Sequence, residues 1–237
     1  MNQPLLDASL KKYQHTFHSV VPFNVEKDKL LYMNFTATNK ELTNEILESA
    51  ERFENYISQK IKTAGALYGI GGYAEYRTVY SRSAVFDADK PDEEPRRLHI
   101  GIDIWGNTGT PVFAFMGGMV HSFAFNKKTG DYGATLILLH QLDGIPFYSL
   151  YGHISLNDIN NIQAGEYVIR GKEIAHFGTE TENGNWPPHL HFQIIHDLEM
   201  HKGDYPGVCA YSKKEKYLHN CPDPDLILNM MQYAIIE

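Results

Sequence analysis

The stretch PPHLHFQI, residues 187–194, places two histidines one residue apart in a short apolar run that follows two prolines. Successive side chains of a β-strand point to opposite faces, so a strand here would present His189 and His191 on the same face. Leu190 and Phe192 would then point the other way, towards a core. Two imidazoles on a buried face are costly unless their nitrogens have partners. The rest of the chain is therefore expected to supply those partners.

The expected partners lie in HIGIDIW, residues 99–105. A strand would turn the three isoleucines of this run inward and place His99, Gly101 and Asp103 on one polar face. Four residues of flat strand span ~13 Å, whereas a histidine and an aspartate that share one zinc bridge only about 11 Å between their Cα atoms. We therefore expect the strand to bend or twist near Gly101, which a glycine permits.

Two imidazoles and one carboxylate, with one position left for water, are the ligand set of a catalytic rather than a structural zinc site. The candidates are His99, Asp103 and one histidine of the HxH pair. In SLYGHIS, His153 follows an apolar run and a glycine, so we expect it at a strand end within reach of the site. The run HDLEMH, residues 196–201, offers a second set of metal-binding side chains, but it is more typical of a polar turn.

Taken in order, HIGID, LYGHIS and PHLHF resemble the three signature motifs of the M23 (lysostaphin/LytM-type) zinc metallopeptidases. The resemblance covers roughly residues 95–195. It implies a mainly β (α+β) fold with an antiparallel sheet or sandwich core of the duplicated-hybrid-motif type. It also implies one Zn²⁺ per chain, bound by His99, Asp103 and His191, with His153 and His189 as the unliganded catalytic histidines.

The chemistry implied by this resemblance is hydrolysis of a peptide bond by a metal-activated water. Zinc lowers the pKa of its water and polarises the scissile carbonyl. One histidine can move the water's proton to the leaving amine, and the second can stabilise the developing oxyanion. Peptidoglycan-type or glycine-containing peptides are the substrate class of the family. The alternatives are a zinc amidohydrolase acting on a small cytosolic amide and a binding module that retains its metal without turnover.

Two features depart from the secreted members of that family. The run NGNWPP stands before the HxH motif where small residues are common, and Gln193 stands where glutamate is common. The stretches GGYAEYR, ENGNWPPHLHFQ and NCPDPDLIL look closer to the M23-like domains found fused to kinase- and aminotransferase-like domains. This wider resemblance extends over about residues 70–228.

Net charge and composition limit the classes of binding partner and the cellular location that we expect. The net charge of -8 argues against nucleic acid and against an anionic membrane surface, which both need a basic surface. No signal peptide and no transmembrane segment are apparent, so a cytoplasmic location is expected. The two cysteines, Cys209 and Cys221, are too few for a disulfide framework and are expected to be free thiols.

The chain divides into an N-terminal segment, residues 1–67, and a mainly β domain, residues 68–237. The segment is expected to contain one long amphipathic helix over about residues 39–63, because its apolar residues recur every three or four positions. Its apolar stripe needs a partner surface, either on the β domain or on another domain or protein. Arg77, just after the division, could contact substrate or could simply pack.

Overall fold

The computed structural model describes residues 3–88 and 93–236. Its α-helices are α1 (Gln3–Tyr13), α2 (Asn44–Leu47), α3 (Ala50–Thr63), α4 (Leu156–Ile159), α5 (Lys214–Asn220) and α6 (Asp225–Leu228). Its strands are β1 (Leu30–Tyr32), β2 (Tyr68–Gly71), β3 (Glu75–Tyr76), β4 (Leu98–His99), β5 (Ile102–Trp105), β6 (Pro111–Phe113), β7 (Gly118–Asn126), β8 (Gly133–Leu142), β9 (Ile145–Ile154), β10 (Tyr167–Val168), β11 (Glu173–His176), β12 (His189–Ile195), β13 (Val208–Cys209) and β14 (Ala234–Ile235).

One large sheet dominates the part of the chain that the structure describes. Its strand order is β10-β7-β8-β9-β12-β5-β2-β1-β14, and two small sheets, β11-β6 and β13-β4-β3, accompany it. Strand β1 pairs in parallel with β2 and β14, whereas the central strands pair antiparallel. The predicted mainly β fold with an antiparallel core is confirmed.

Strand β12 runs between β9 and β5 near the middle of the large sheet. Its apolar side chains are fully buried in the main hydrophobic core: Leu190, Phe192 and Ile194. The intervening side chains, which include both histidines, project to the opposite face. The alternation predicted from PHLHFQI is therefore present, and it gives the sheet one apolar face and one polar, buried face at this point.

The single helix predicted for residues 39–63 is wrong, because the structure has two helices there. Helix α3 begins after Ser49, whose Oγ accepts a hydrogen bond from the Arg52 backbone N–H at 3.3 Å. Before α2, the side-chain oxygen of Asn39 accepts a hydrogen bond from the Glu41 backbone N–H at 3.1 Å. Such local side-chain bonds compete with helical hydrogen bonds, so the chain turns where the apolar spacing alone predicts helix.

The N-terminal segment packs against the rest of this chain. Phe53 and Ile57 of α3 are buried in a cluster that also contains Trp105 and Trp186. Strand β1, from the same segment, continues the large sheet beside β2. The apolar stripe of α3 thus has a partner surface within the chain, and the division at 67/68 stays a prediction. Over the residues described, none of the helices has the length and apolar character needed to cross a bilayer.

Candidate metal centre and active site

The register of three central strands brings the predicted site residues together. In β12, His191 lies opposite Asp103 of β5 on one side and opposite Gly152 of β9 on the other. His153 follows near the end of β9 with a φ of 62°, a left-handed conformation that is uncommon for residues other than glycine. His189 lies two residues before His191 on the same face of β12.

A bend between β4 and β5 at Gly101 brings His99 close to Asp103 and His191. Strand β4 ends at His99 and β5 begins at Ile102, so the bend predicted at Gly101 is confirmed. A Cβ atom on Gly101 would lie 2.5 Å from Cε1 and 2.6 Å from Nε2 of His191. The glycine therefore makes the bend and also leaves the space that the imidazole of His191 occupies.

The three predicted ligands form one buried cluster. His99 Nε2 lies 2.9 Å from His191 Nδ1, and Asp103 Oδ1 lies 3.3 Å from the first of these nitrogens and 3.0 Å from the second. Within residues 3–88 and 93–236, no other group of three or more His, Cys, Asp or Glu side chains is placed to hold a metal ion. The run HDLEMH therefore supplies no second site.

Hydrogen bonds on the far side of each imidazole fix which nitrogen faces the cluster. His99 Nδ1 lies 2.9 Å from the carbonyl oxygen of Gly72; because that oxygen can only accept, Nδ1 donates and Nε2 carries the lone pair. The amide nitrogen of Gln193 donates to the Pro206 carbonyl at 3.1 Å. Its Oε1 is therefore left to accept from His191 Nε2 at 2.9 Å, so in the neutral ring Nδ1 carries the lone pair.

The charges of the cluster suit a metal ion. Burial, together with the neighbouring Arg77, lowers the pKa of His99 to about 3. Burial alone would raise the pKa of Asp103, but His99 and Arg77 hold it well below its usual range. Near neutral pH His99 is therefore neutral and Asp103 is a carboxylate, which are the forms that bind metals.

When both rings are neutral in these tautomers, three lone pairs converge at one point. Two unprotonated ring nitrogens only 2.9 Å apart repel each other unless they share a cation. A tetrahedral zinc with bonds of about 2.0–2.1 Å separates its nitrogen and oxygen ligands by about 3.3 Å, close to the separations of 2.9, 3.0 and 3.3 Å found here. The residues fit a zinc ion with two imidazoles, one carboxylate and one position open to water or substrate.

Two further histidines lie beside the cluster without belonging to it. Nδ1 of His153 donates to the Asn183 carbonyl at 2.7 Å, and Nδ1 of His189 donates to the Pro187 carbonyl at 2.8 Å. Nε2 is therefore the free nitrogen of each ring, and that of His189 lies 3.9 Å from Asp103 Oδ1. Burial lowers the pKa of His189 to about 4 and holds that of His153 well below its ordinary value. Both rings are neutral near neutral pH.

A buried arginine holds the outer oxygen of the aspartate. Nη1 of Arg77 donates to Asp103 Oδ2, and its Nε donates to Glu75 Oε2 at 2.7 Å. The Arg77 side chain is only 2% exposed, and Glu75 lies opposite His99 in the register of β3 with β4. The sequence left packing and substrate contact open for Arg77, whereas the structure pairs it with two carboxylates, and no spacing signal in the sequence indicates this.

Asp103 and His191 of the cluster line a cleft of about 520 Å³ whose walls contain both aromatic and charged side chains, a volume within the range of small-ligand pockets, about 300–1,000 Å³. Tyr80 and Phe86 come from two 3₁₀ turns that precede β4, and Trp186 comes from the loop before β12. The Trp186 ring lies 6.3 Å from that of His153 and 6.4 Å from that of His189. An apolar side chain of a bound ligand could therefore contact Trp186 close to both His153 and His189.

Gly101→Ala is expected to lower the zinc affinity at least tenfold, the scale of effect seen when the partners that orient a metal ligand are lost. The new methyl group would displace the His191 ring, whose nearest atom is 2.5 Å away. The measurement is zinc affinity by competition with a chelator. Gly144→Ala, at a turn with φ of 80° and open space around it, is the control for strain away from the site. Wild-type zinc affinity in Gly101→Ala would contradict the crowding described here.

Comparison with known proteins agrees with this geometry. Residues 97–203 match peptidase family M23, and the stretch contains the three residues of the cluster and both neighbouring histidines. This part of the chain is therefore similar to peptidase family M23. The match begins at the strand that carries His99 and extends beyond β12, and residues 1–96 lie outside it.

Two curated proteins and two solved structures illustrate the similarity. The L-Ala–D-Glu endopeptidase of Bacillus subtilis (strain 168) is 26% identical over 147 residues, 59% of this chain and 43% of that protein. The DD-carboxypeptidase/endopeptidase Mpg of Neisseria meningitidis serogroup B is 33% identical over 97 residues, 41% of this chain and 20% of that protein. The matches thus span less than half the length of either relative.

Among solved structures, the catalytic domain of the antimicrobial peptidase lysostaphin from Staphylococcus simulans is 22% identical, with a TM-score of 0.42, over 74% of this chain and 97% of that one. A zinc containing peptidase from Vibrio cholerae is 25% identical, with a TM-score of 0.34, over 46% and 30%.

Proposed function

We propose that this chain is a zinc-dependent metallopeptidase that hydrolyses a peptide bond with a metal-activated water. The observation that carries the proposal is the convergence of the side chains of His99, Asp103 and His191, beside His153 and His189, which line the same cleft as Asp103 and His191. The domain match to peptidase family M23 supports it. One zinc per chain is the proposed cofactor.

The bound zinc would supply Lewis acidity for the carbonyl and a water of lowered pKa. Of the two neighbouring histidines, His189 is placed to carry out the proton transfer. Each has already committed its Nδ1–H to a backbone carbonyl, so a neutral ring offers an acceptor and no donor. His189, whose Nε2 is nearer to the cluster carboxylate, takes the proton of the water and returns it to the leaving amine.

Only one of the two histidines becomes a positively charged imidazolium at a time. Their rings are 4.1 Å apart, and two buried positive charges at that distance disfavour each other. Donation to the developing oxyanion therefore requires the particular histidine that has just become protonated. From the sequence, one histidine is expected to act as the base and the other as the oxyanion donor, whereas here the same ring serves first as base and then as donor.

The substrate we propose is a peptidoglycan-type or glycine-containing peptide. Support comes from the names of the two curated relatives, an L-Ala–D-Glu endopeptidase and a DD-carboxypeptidase/endopeptidase. The aromatic wall formed by Tyr80, Phe86 and Trp186 suits a peptide that carries one apolar side chain near the scissile bond. The cytoplasmic location and the absence of nucleic-acid and membrane partners remain predictions from composition.

The test is to incubate the zinc-loaded chain with peptidoglycan stem peptides, pentaglycine and simple amides, and to identify products by mass spectrometry. We expect cleavage of a peptide that stops when a chelator removes the zinc and returns when zinc is restored. Hydrolysis of small amides alone would favour the amidohydrolase alternative. Binding of peptides without any cleavage would leave the binding-module alternative and would contradict the proposal.

A further inference from the structure

A second cavity, of about 410 Å³, adjoins the metal cleft and shares Gly130 and Trp186 with it. Its charged lining residues are Arg82 and Glu48, and its neutral polar ones include Asn44, Ser81 and Asn185. None of the candidate catalytic or metal-binding residues lines it. The chemistry of this cavity therefore depends on what Arg82 does.

Arg82 has a buried donor without an acceptor. Its Nη1 is shielded from solvent and has no hydrogen-bond partner, and in the described part of the chain its guanidinium forms no ion pair. Aromatic faces hold it instead, because its guanidinium carbon lies 4.9 Å from the centre of the Trp186 ring and 5.3 Å from that of Phe53. A positive charge that is partly desolvated and lacks a counter-charge favours an anion.

The neighbouring cations differ in this respect. Arg77 is paired with Asp103 and Glu75. Arg96 and Lys128 lie close enough to Asp131 for their charges to act on its pKa, which burial raises and they partly lower. Glu48, across the second cavity, is exposed and forms no ion pair with Arg82. Among the described residues, Arg82 is thus the cation at this cavity without a carboxylate partner.

Trp186 connects this charge to the reaction centre. Its ring contacts the Arg82 guanidinium at 4.9 Å and lies 6.3 Å from the ring of His153. Extended peptide advances roughly 3.3–3.6 Å per residue, so a peptide bound at the cluster could reach Arg82 in about three residues. The hydroxyl of Ser83 donates to the Thr129 carbonyl at 2.8 Å, which ties the loop that carries Arg82 to the opposite wall.

We propose that Arg82 and the second cavity form a subsite for a carboxylate carried by the peptide substrate, about three residues from the scissile bond. The inference rests on the proposed peptidase function and specifies its substrate class as an acidic peptide. Arginine suits this role because its planar guanidinium can donate two parallel hydrogen bonds to one carboxylate. Stacking on Trp186 would keep the guanidinium oriented while the part of it that lines the cavity binds the ligand.

The test uses matched glycine-rich peptides that differ only in Glu against Gln, placed at the third residue before or after a central Gly–Gly bond. A further pair has a free or an amidated C-terminus, which separates a side-chain carboxylate from a terminal one. We expect the zinc-loaded chain to prefer one acidic peptide by about tenfold or more in kcat/KM, the scale of one charge-assisted contact. Arg82→Gln should remove the preference and leave the neutral peptide within about twofold.

Two controls separate the possible failures. Arg52→Gln removes an exposed arginine that is paired with Glu45 and should keep the preference, whereas Arg82→Lys should keep only part of it. Equal cleavage of acidic and neutral peptides by the wild type would overturn the subsite and leave the peptidase standing. Equal loss of both peptides in Arg82→Gln would make Arg82 a structural residue and would also overturn it.

If no peptide is cleaved, the proposed function fails, and the subsite is then tested by binding alone. Isothermal titration of the same Glu and Gln peptides into the zinc-loaded wild type and Arg82→Gln gives the comparison. Tighter binding of a Glu peptide that disappears in the variant would keep the subsite. Identical dissociation constants would overturn it.

Discussion

His189→Ala is expected to retain zinc and to lose at least about two orders of magnitude in kcat/KM, the scale of a lost general base or oxyanion donor. His189 lies outside the three-residue cluster, so no metal donor is removed. Its free Nε2, however, is 3.9 Å from the carboxylate of Asp103, where a proton acceptor is needed. The measurement is zinc content together with steady-state kinetics on a cleaved peptide.

Two other histidine variants serve as controls, one for loss of a metal ligand and one for loss of a buried histidine outside the cluster. His191→Ala removes a donor of the cluster and should lose zinc and turnover together. His140 is also buried, with its Nδ1 donating to the Gly117 carbonyl at 2.9 Å, and burial lowers its pKa to about 4. His140→Gln should cost stability and leave kcat close to wild type, because this ring lies outside the cluster. Full activity in His189→Ala would exclude the proposed role.

Arg77→Met is expected to lower the free energy of unfolding of the zinc-free protein by about 3–5 kcal/mol, the usual cost of removing one partner of a buried ion pair. The substitution leaves Asp103 and Glu75 buried without their shared cation. It also frees the outer oxygen of Asp103, so the zinc affinity should fall about 10–100-fold. Urea denaturation and chelator competition measure the two effects.

The control for Arg77 is an arginine whose carboxylate partner is exposed. Arg52 pairs with Glu45 at 2.9 Å, and both side chains are largely exposed, so Arg52→Met should cost less than about 1 kcal/mol. If Arg77→Met does not fold, adding Glu75→Gln removes one of the two stranded charges and should restore folding with zinc affinity still reduced. Wild-type stability and wild-type zinc affinity in Arg77→Met would contradict the role of this arginine.

The two faces of β12 and the bend before β5 could be predicted, because they depend only on residues close together in the sequence. Alternation along PHLHFQI separates the apolar and histidine faces of β12, and the mismatch between a flat strand and one shared zinc requires the bend at Gly101. These predictions needed only side-chain periodicity and bond lengths. The resemblance of three separated motifs then indicated which histidines belong together, and the structure places them in one cluster.

The side chains that hydrogen-bond to the metal-binding residues could not be predicted in the same way. Arg77 reaches Asp103 because β3 pairs with β4, and β3 is only two residues long, so it has no periodicity to read. Gln193 is the side chain that orients His191, and the sequence showed only that it departs from the glutamate common in the family. Its amide oxygen accepts the same hydrogen bond that a carboxylate would accept, without a second negative charge.

For residues 39–63, the periodicity of apolar residues predicted one helix that is longer than either helix in the structure. The apolar residues of 39–63 follow helical spacing throughout. Asn39 and Ser49 nevertheless interrupt the helix, because their side-chain oxygens accept hydrogen bonds from the backbone N–H groups of Glu41 and Arg52 and so compete with helical hydrogen bonds. Periodicity predicted the buried face correctly, with Phe53 and Ile57 in the core, but not the helix boundaries.

The metal content of the purified chain, measured by elemental analysis, tests the central claim most directly. If His99, Asp103 and His191 hold a catalytic zinc, the wild type should contain or take up about one zinc per chain. His191→Ala should contain none, and His189→Ala should match the wild type. A wild-type protein that contains no zinc and takes up none on titration would contradict the account.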